Sequence, residues 1–329
     1  MAPPRGGLME RLDAFMARAA AAYYAGRDAL GRDFTTAPEM TQAFGECLGL
    51  WSAATWVAMG APARVIWAEL GPGRGTLMAD AQRAVREVMP AFAAAAKLHL
   101  VETSPRLRAA QAARLDATWH EDAAQLPPGP MILLANEFFD ALPIRQFVRR
   151  GGAWHERFVA DGAFVEQPSD HAEEAPEGAV RELGEAGRAL AVALAARLAA
   201  EGGAALILDY GPAEGGFGDT LQALRDNAPA APLAAPGQAD ITAHVDFAAL
   251  AVAVRCAGAA VHGPLPMGLF LQRLGLLTRS AVLARAAPAK AGPLLSAAQR
   301  LTAPEAMGRL FKALCLAHPA LPIPAGFEP

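Results

Sequence analysis

Two hydrophobic periods divide this chain. Leu8, Leu12, Phe15, Met16 and Ala19 fall at helical spacing and predict an amphipathic helix over residues 8–26. A polar turn (GRDFTTAPEM) follows, then a second apolar helix from about Thr41 to Met59. From Arg64 the pattern changes. RVIWAEL is a short β-rich run ending at a glycine cluster, and TLMADAQRAVREV after it has helical periodicity. KLHLVE, a helix from Pro105 to about Ala117, and PMILLANEFFDALP continue the alternation. Buried strands alternating with helices predict an α/β fold, a Rossmann-like and mostly parallel sheet with helices on both faces.

Residues 146–167 break that rhythm. Gly151-Gly152 and Asp161-Gly162 mark turns between alternating segments, so a small antiparallel insertion is expected there. An acidic loop leads into an alanine-rich helix ending near Ala200. GAALILDYG then reads as a buried strand, HVDFAALAVAVRCAG as a helix and AAVHGPL as a late strand. Residues 269–301 are mostly helical, and RLFKALCLAHP reads as a last edge strand. The domain reading is an N-terminal helical segment over 1–60 and a core over 61–329, with a helical insertion near 266–305. The Pro/Ala-rich stretches near 228–236 and 288–293 read as surface loops.

Composition narrows the function. The net charge of −4 argues against a general nucleic-acid binder, which needs a basic face. Lys97, Lys290 and Lys312 are the only lysines among 29 basic residues, a bias that fits GC-rich codon usage. Cys47, Cys256 and Cys315 lack metal-ligand spacing, so a reducing compartment is expected and no metal site. Cys47 and Cys256 lie in apolar helical contexts and read as inert core thiols. The N-terminal residues lack an apolar signal core, and no stretch is long and apolar enough to span a membrane. A cytoplasmic protein is expected.

ELGPGRGTLM is the most informative segment. Gly71, Gly73 and Gly75 let the chain turn sharply from strand to helix and let a ligand approach without Cβ atoms in the way. Thr76 stands where a dinucleotide fingerprint wants glycine. The G-x-G-x-G spacing with Glu69 ahead resembles the first motif of class I S-adenosylmethionine (SAM) methyltransferases, whose loop wraps the methionine moiety. Glu102, ending the next strand in VETSP, can accept hydrogen bonds from both ribose hydroxyls; a surface glutamate is the structural alternative.

ANEFFDALPIRQF ends the third strong strand. Ligands of doubly wound sheets lie beyond the carboxyl ends of the strands, so Asn136, Glu137 and Asp140 should face the transferred group. Paired carboxylates would suit an arginine acceptor: they orient the guanidinium, draw charge to its far nitrogens and accept the released proton. The alternative has Asp140 capping the turn and Glu137 pairing with Arg145. Tyr210, in LDYG, points to the same rim. His244 and Asp246 start a helix, with polar packing and a helix N-terminal charge as their structural alternatives; His262 reads as structural.

In this order YYAGRDALGRDFTTAPEMTQAFGE, ELGPGRGTLM, VETSP, ANEFFDALPIRQF, LDYG, GDTLQAL and TAHVDFAALA resemble the MidA-type methyltransferases. That family includes the mitochondrial complex I assembly factor that methylates an arginine of a core NADH dehydrogenase subunit. The likeness runs from about Tyr23 to His318. It implies a class I methyltransferase core, SAM as donor, S-adenosylhomocysteine as product, and symmetric dimethylation of a protein arginine. It also implies a mitochondrial matrix location for eukaryotic relatives and a cytoplasmic one here. By this resemblance DFTTAPE folds over the cofactor pocket, adding Thr36, Pro38 and Glu39 to the site, and Asp219 lies in a loop near the substrate. Gly31-Arg32-Asp33 departs from the family pattern: the loop is shorter and Arg32 replaces a flexible glycine.

Three rival readings stay in view. One is a methyltransferase for a small molecule or RNA, and another a SAM-binding assembly chaperone of complex I without turnover. The third, an NAD-dependent dehydrogenase, is disfavoured by Thr76. Similarity of family does not fix the acceptor.

Overall fold

The computed structural model describes residues 9–26 and 35–329. Seven strands form the main sheet: β1 (Val65–Leu70), β2 (Ala96–Val101), β3 (Thr118–His120), β4 (Met131–Asn136), β5 (Gly203–Tyr210), β6 (Ala260–Pro266) and β7 (Phe311–Ala317). Their spatial order is β6-β7-β5-β4-β1-β2-β3. The five from β3 to β5 run parallel, and β7 and β6 are antiparallel additions. The chain order reverses between β1 and β4, and such a switch point opens a crevice at the carboxyl ends of its strands. Burial on both faces explains why β1 and β4 read as continuous apolar runs with no alternation.

One face of the sheet packs on the helices Gln42–Ala58 and Thr76–Val88, around Phe44, Trp51, Trp67 and Phe92. The other carries Glu185–Glu201 and Phe247–Cys256, around Leu194, Leu198, Phe247 and Val254. A separate antiparallel sheet comprises Glu10–Arg11, Arg145–Arg150, Ala153–Ala160, Ala163–Pro168 and Val180–Leu183. The helix Leu12–Gly26 packs near it through Leu12, Phe15 and Met16.

Four local expectations are corrected. The run 311–317 is not an edge strand: it lies between β5 and β6, every residue buried, so β6 takes the edge. The helix from Pro105 stops at Ala112, because the chain must turn to place Thr118–His120 beside β2. Residues 228–230, read as loop, pair with Gln222–Arg225 in a small third sheet. Cys256 is exposed at a helix end, whereas Cys47 and Cys315 are buried.

Two glycines of the helix Gln42–Ala58 let it approach the helix that follows the glycine loop. A Cβ on Gly45 would lie 2.7 Å from the Leu77 carbonyl oxygen, and one on Gly49 2.7 Å from that of Ala81. Backbone carbonyls cannot swing aside as side chains can, so added methyls must push the helices apart. Glu46, buried between Arg83 and Arg279, anchors the same helix to two others. Gly49→Val is expected to destabilise the protein by about 1–3 kcal/mol, read as a lower urea midpoint at unchanged slope.

Candidate functional site

The glycine loop carries three consecutive left-handed turns, at Gly71 (φ 59°), Gly73 (φ 53°) and Gly75 (φ 76°). A side chain is disfavoured at each. Glu69 ends β1 buried, and its Oε2 has no hydrogen-bond partner. Burial, aided by the nearby Glu102, pushes its carboxyl up to about 8. An orphaned, desolvated acid of this kind calls for a cationic ligand.

Glu102, at the end of β2, accepts from the Ser104 N–H (2.8 Å) and faces the Gln111 amide (3.4 Å). Gln111 also donates to the Gly73 carbonyl (2.7 Å) and accepts from Trp119 (2.8 Å), so one buried glutamine joins the glycine loop to the acid. Ser104 reaches back to the carbonyl of Tyr24 in the first helix (2.8 Å).

The turn after β4 is the densest part. Glu137 adopts φ 50°, uncommon for a non-glycine residue. Asp209, at the end of β5, holds the turn: its Oδ2 accepts from the N–H groups of Phe138, Phe139 and Asp140 at 2.9–3.2 Å, and its Oδ1 from that of Tyr210. Phe138 then covers Gly71, where a Cβ would lie 2.7 Å from its ring. Glu137 Oε1 accepts from the Ala37 N–H (3.0 Å) and the Asn136 amide (3.1 Å). Burial pushes Glu137 up to about 7 and Asp140, which is bonded by Tyr210, up to about 6. Glu137 does not pair with Arg145, which binds Glu156 and Glu185. Asn136 Oδ1 is buried without a partner.

The segment from Thr36 crosses both halves of the switch point. Thr36 precedes the short helix Ala37–Met40, with Pro38 in its first turn. The Ala37 N–H meets Glu137, and Glu39 accepts from Thr76 beside the glycine loop (2.6 Å). Gly31, Arg32 and Asp33 lie outside the described residues.

Beside the turn lies a groove of about 700 Å³, lined by Phe139, Gly211, His244 and Asp246 among others. Asp246 also caps the helix Phe247–Cys256 by accepting from the Ala249 N–H. Asp219 does not line the groove, although Gly218 and Thr220 do. It pairs with Arg157 of the antiparallel sheet (2.7 Å). Sequence reasoning missed Tyr24, Ser104, Gln111 and the turn-holding role of Asp209. Only Ser104, ahead of a proline and able to cap a helix, carried a local signal.

The residues fit SAM: an orphaned acid at the glycine loop for an ammonium, and an acid at the next strand end for ribose hydroxyls. Residues 47–265 match the family model described as "Putative S-adenosyl-L-methionine-dependent methyltransferase". The chain belongs to that family. It is 36% identical to the Drosophila melanogaster "Protein arginine methyltransferase NDUFAF7 homolog, mitochondrial", over 90% of this chain and 78% of that protein. To the Homo sapiens NDUFAF7 protein arginine methyltransferase it is 33% identical, over 89% and 76%. A Burkholderia thailandensis protein crystallised with S-adenosyl-homocysteine bound superposes with a TM-score of 0.79 at 27% identity, covering 98% of this chain and 89% of that one. This chain is thus a SAM-dependent methyltransferase, with the α/β architecture its strand pattern predicts. No helix among the described residues is long and apolar enough to cross a membrane.

The raised carboxyls give the ligand-free methyltransferase a pH signature. A carboxyl titrating higher in the folded than in the unfolded chain adds stability below its unfolded value, and that stability is lost as pH rises through the folded value. For Glu69 and Glu137 the window runs from about 4.5 to about 8 and about 7 respectively. Thermal melts at pH 5, 6.5 and 8 should show Glu69→Gln losing less stability than wild type across that range. An identical decline in both would mean Glu69 is not desolvated.

Proposed function

We propose that this methyltransferase modifies an arginine side chain of a protein, by symmetric dimethylation, with a core subunit of NADH dehydrogenase as acceptor and complex I assembly as the process served. The observation that carries the reading is the pair of carboxyls, Glu137 and Asp140, on the Asp209-anchored turn at the carboxyl end of β4, both raised by burial. The names of the NDUFAF7 relatives, protein arginine methyltransferases, support its protein-arginine part.

Each residue's part follows from its place. Glu69 would hold the donor's ammonium, the loop of Gly71, Gly73 and Gly75 its methionine end, Glu102 the ribose, and Asn136 the rim between donor and acceptor. Residues 36–40, with Thr36, Pro38 and Glu39, would close this pocket through the Ala37–Glu137 and Glu39–Thr76 contacts. When bound, SAM supplies an electrophilic methyl on sulfonium. Glu137 and Asp140 would orient the acceptor guanidinium, which is charged and weakly nucleophilic in water. A carboxyl poised near 7 is well matched to take the departing proton at physiological pH. Tyr210 steadies Asp140, while His244, held neutral by burial, faces the groove with Asp246. Holding nucleophile, methyl and sulfur in line would supply much of the acceleration. A cytoplasmic location, where nascent respiratory subunits are reached, fits this work.

Methyl transfer from isotopically labelled SAM into extracts of cells lacking the gene, with mass spectrometry of labelled protein, tests the acceptor. Label on one arginine of an NADH dehydrogenase core subunit, absent with Gly73→Val, is the expected result. SAM binding without label would instead favour a binding chaperone. Glu137→Gln should lower kcat by roughly 10²–10⁴-fold at nearly unchanged SAM affinity. Equal losses of both would make Glu137 a structural or cofactor residue. Glu69→Gln should weaken SAM binding by about 1.5–3 kcal/mol by calorimetry, and should abolish the rise in affinity expected of wild type between pH 6 and 8.

A further inference from the structure

The groove beside the turn has an unbalanced interior. Lys312, a residue 9% exposed, lines it from β7. Its Nζ donates to the carbonyls of Arg309 (2.5 Å) and Leu310 (3.0 Å), and among the described residues no carboxylate reaches it. Arg309 and Arg188 line the same groove, exposed and without an acidic partner among those residues.

The groove's own acids are mostly committed elsewhere. Glu182 is bonded by Thr220 and Gln146, Glu185 by Arg145, and Asp246 by the Ala249 N–H. Glu305, exposed, is the exception. His244 cannot add an anion, and burial together with Lys312 keeps it neutral. Burial and Arg309 also lower Lys312, the direction expected of an ammonium with no counter-charge. Leu142, Ile144 and Val245 supply apolar lining between these polar groups. A cleft with apolar lining and a few cations along it fits an extended polypeptide carrying a carboxylate better than it fits a uniformly basic or apolar ligand.

We propose that this groove seats the stretch of acceptor protein flanking the modified arginine, and that Lys312, with Arg309 and Arg188, binds an acidic side chain of that stretch. The inference rests on the protein-arginine reading for its occupant. Phe139 gives it continuity with the site, since the residue lines the groove while standing in the chain between Glu137 and Asp140. A fixed arginine-to-acid offset would then help select the target, because the wrong segment leaves Lys312 unpaired.

Binding tests this independently of turnover. Fluorescent peptides with one arginine, and one glutamate stepped through the flanking positions, are titrated by anisotropy into the full-length protein loaded with S-adenosylhomocysteine. At one offset the glutamate peptide should bind roughly tenfold tighter than its glutamine counterpart, and the gain should shrink in high salt. Lys312→Met should abolish the gain and Lys312→Arg restore part of it. The exposed Arg309→Gln should reduce it at unchanged S-adenosylhomocysteine affinity, which covers the case in which Lys312→Met fails to fold. Equal binding of glutamate and glutamine peptides at every offset, absence of binding included, overturns the proposal. So does a gain that survives Arg309→Gln and, where it folds, Lys312→Met. A peptide that shows this glutamate-dependent binding and yet accepts no methyl when the same protein is loaded with SAM leaves the groove standing and overturns the arginine reading instead.

Discussion

The arrangement of the site depends on one side chain, Asp209. Four backbone N–H groups converge on its carboxyl, three of them from the turn that follows a neighbouring strand. Such donors, buried without an acceptor, would each carry a large desolvation penalty, so the turn has little freedom once β4 and β5 are paired. That fixed turn decides where Glu137, Phe138, Phe139 and Asp140 go: toward the N-terminal segment, over Gly71, into the groove and against Tyr210. The left-handed backbone at Glu137 is tolerated because the surroundings over-determine it.

Around this turn the strand ends gather acids that oppose one another. Glu69, Glu102, Glu137 and Asp140 are all raised by burial, and Glu69 is raised further by Glu102. Desolvated carboxyls without enough donors form a poor resting arrangement and a good receptor for a ligand bearing an ammonium, hydroxyls and a sulfonium. The methyltransferase family has such a ligand. A buried glutamine and a half-buried threonine spread the same constraint outward, with Gln111 joining the glycine loop to Glu102 and Thr76 joining it to Glu39. The two helices packed through Gly45 and Gly49 give the loop a rigid floor.

The antiparallel strands extend this logic to a second surface. In register, Lys312 of β7 lies beside Asp209 of β5. One strand pair therefore carries both the anchor of the turn and the buried cation of the groove. Strand β6 shields the far edge, so β7 can be buried along its whole length. Had β7 been the edge, Lys312 would sit nearer water and discriminate less between a paired and an unpaired anion.

The sequence by itself determined the alternation of strand and helix, the glycine loop and the acids closing β1, β2 and β4. These are local signals: apolar runs of strand length, positive-φ glycines and charges just beyond them. Tertiary structure decided what depends on pairing. A buried run such as 311–317 looks alike at an edge or one place inside it, because hydrophobicity reports burial and not neighbours. Gln111 is one polar residue in a short helix until Gly73, Glu102 and Trp119 meet it. Arg188, Arg309 and Lys312, far apart or unremarkable along the chain, come to line one groove only when β7 is inserted beside β5. Periodicity encodes which residues leave water; the company they keep is set by long-range strand order, which no local pattern contains.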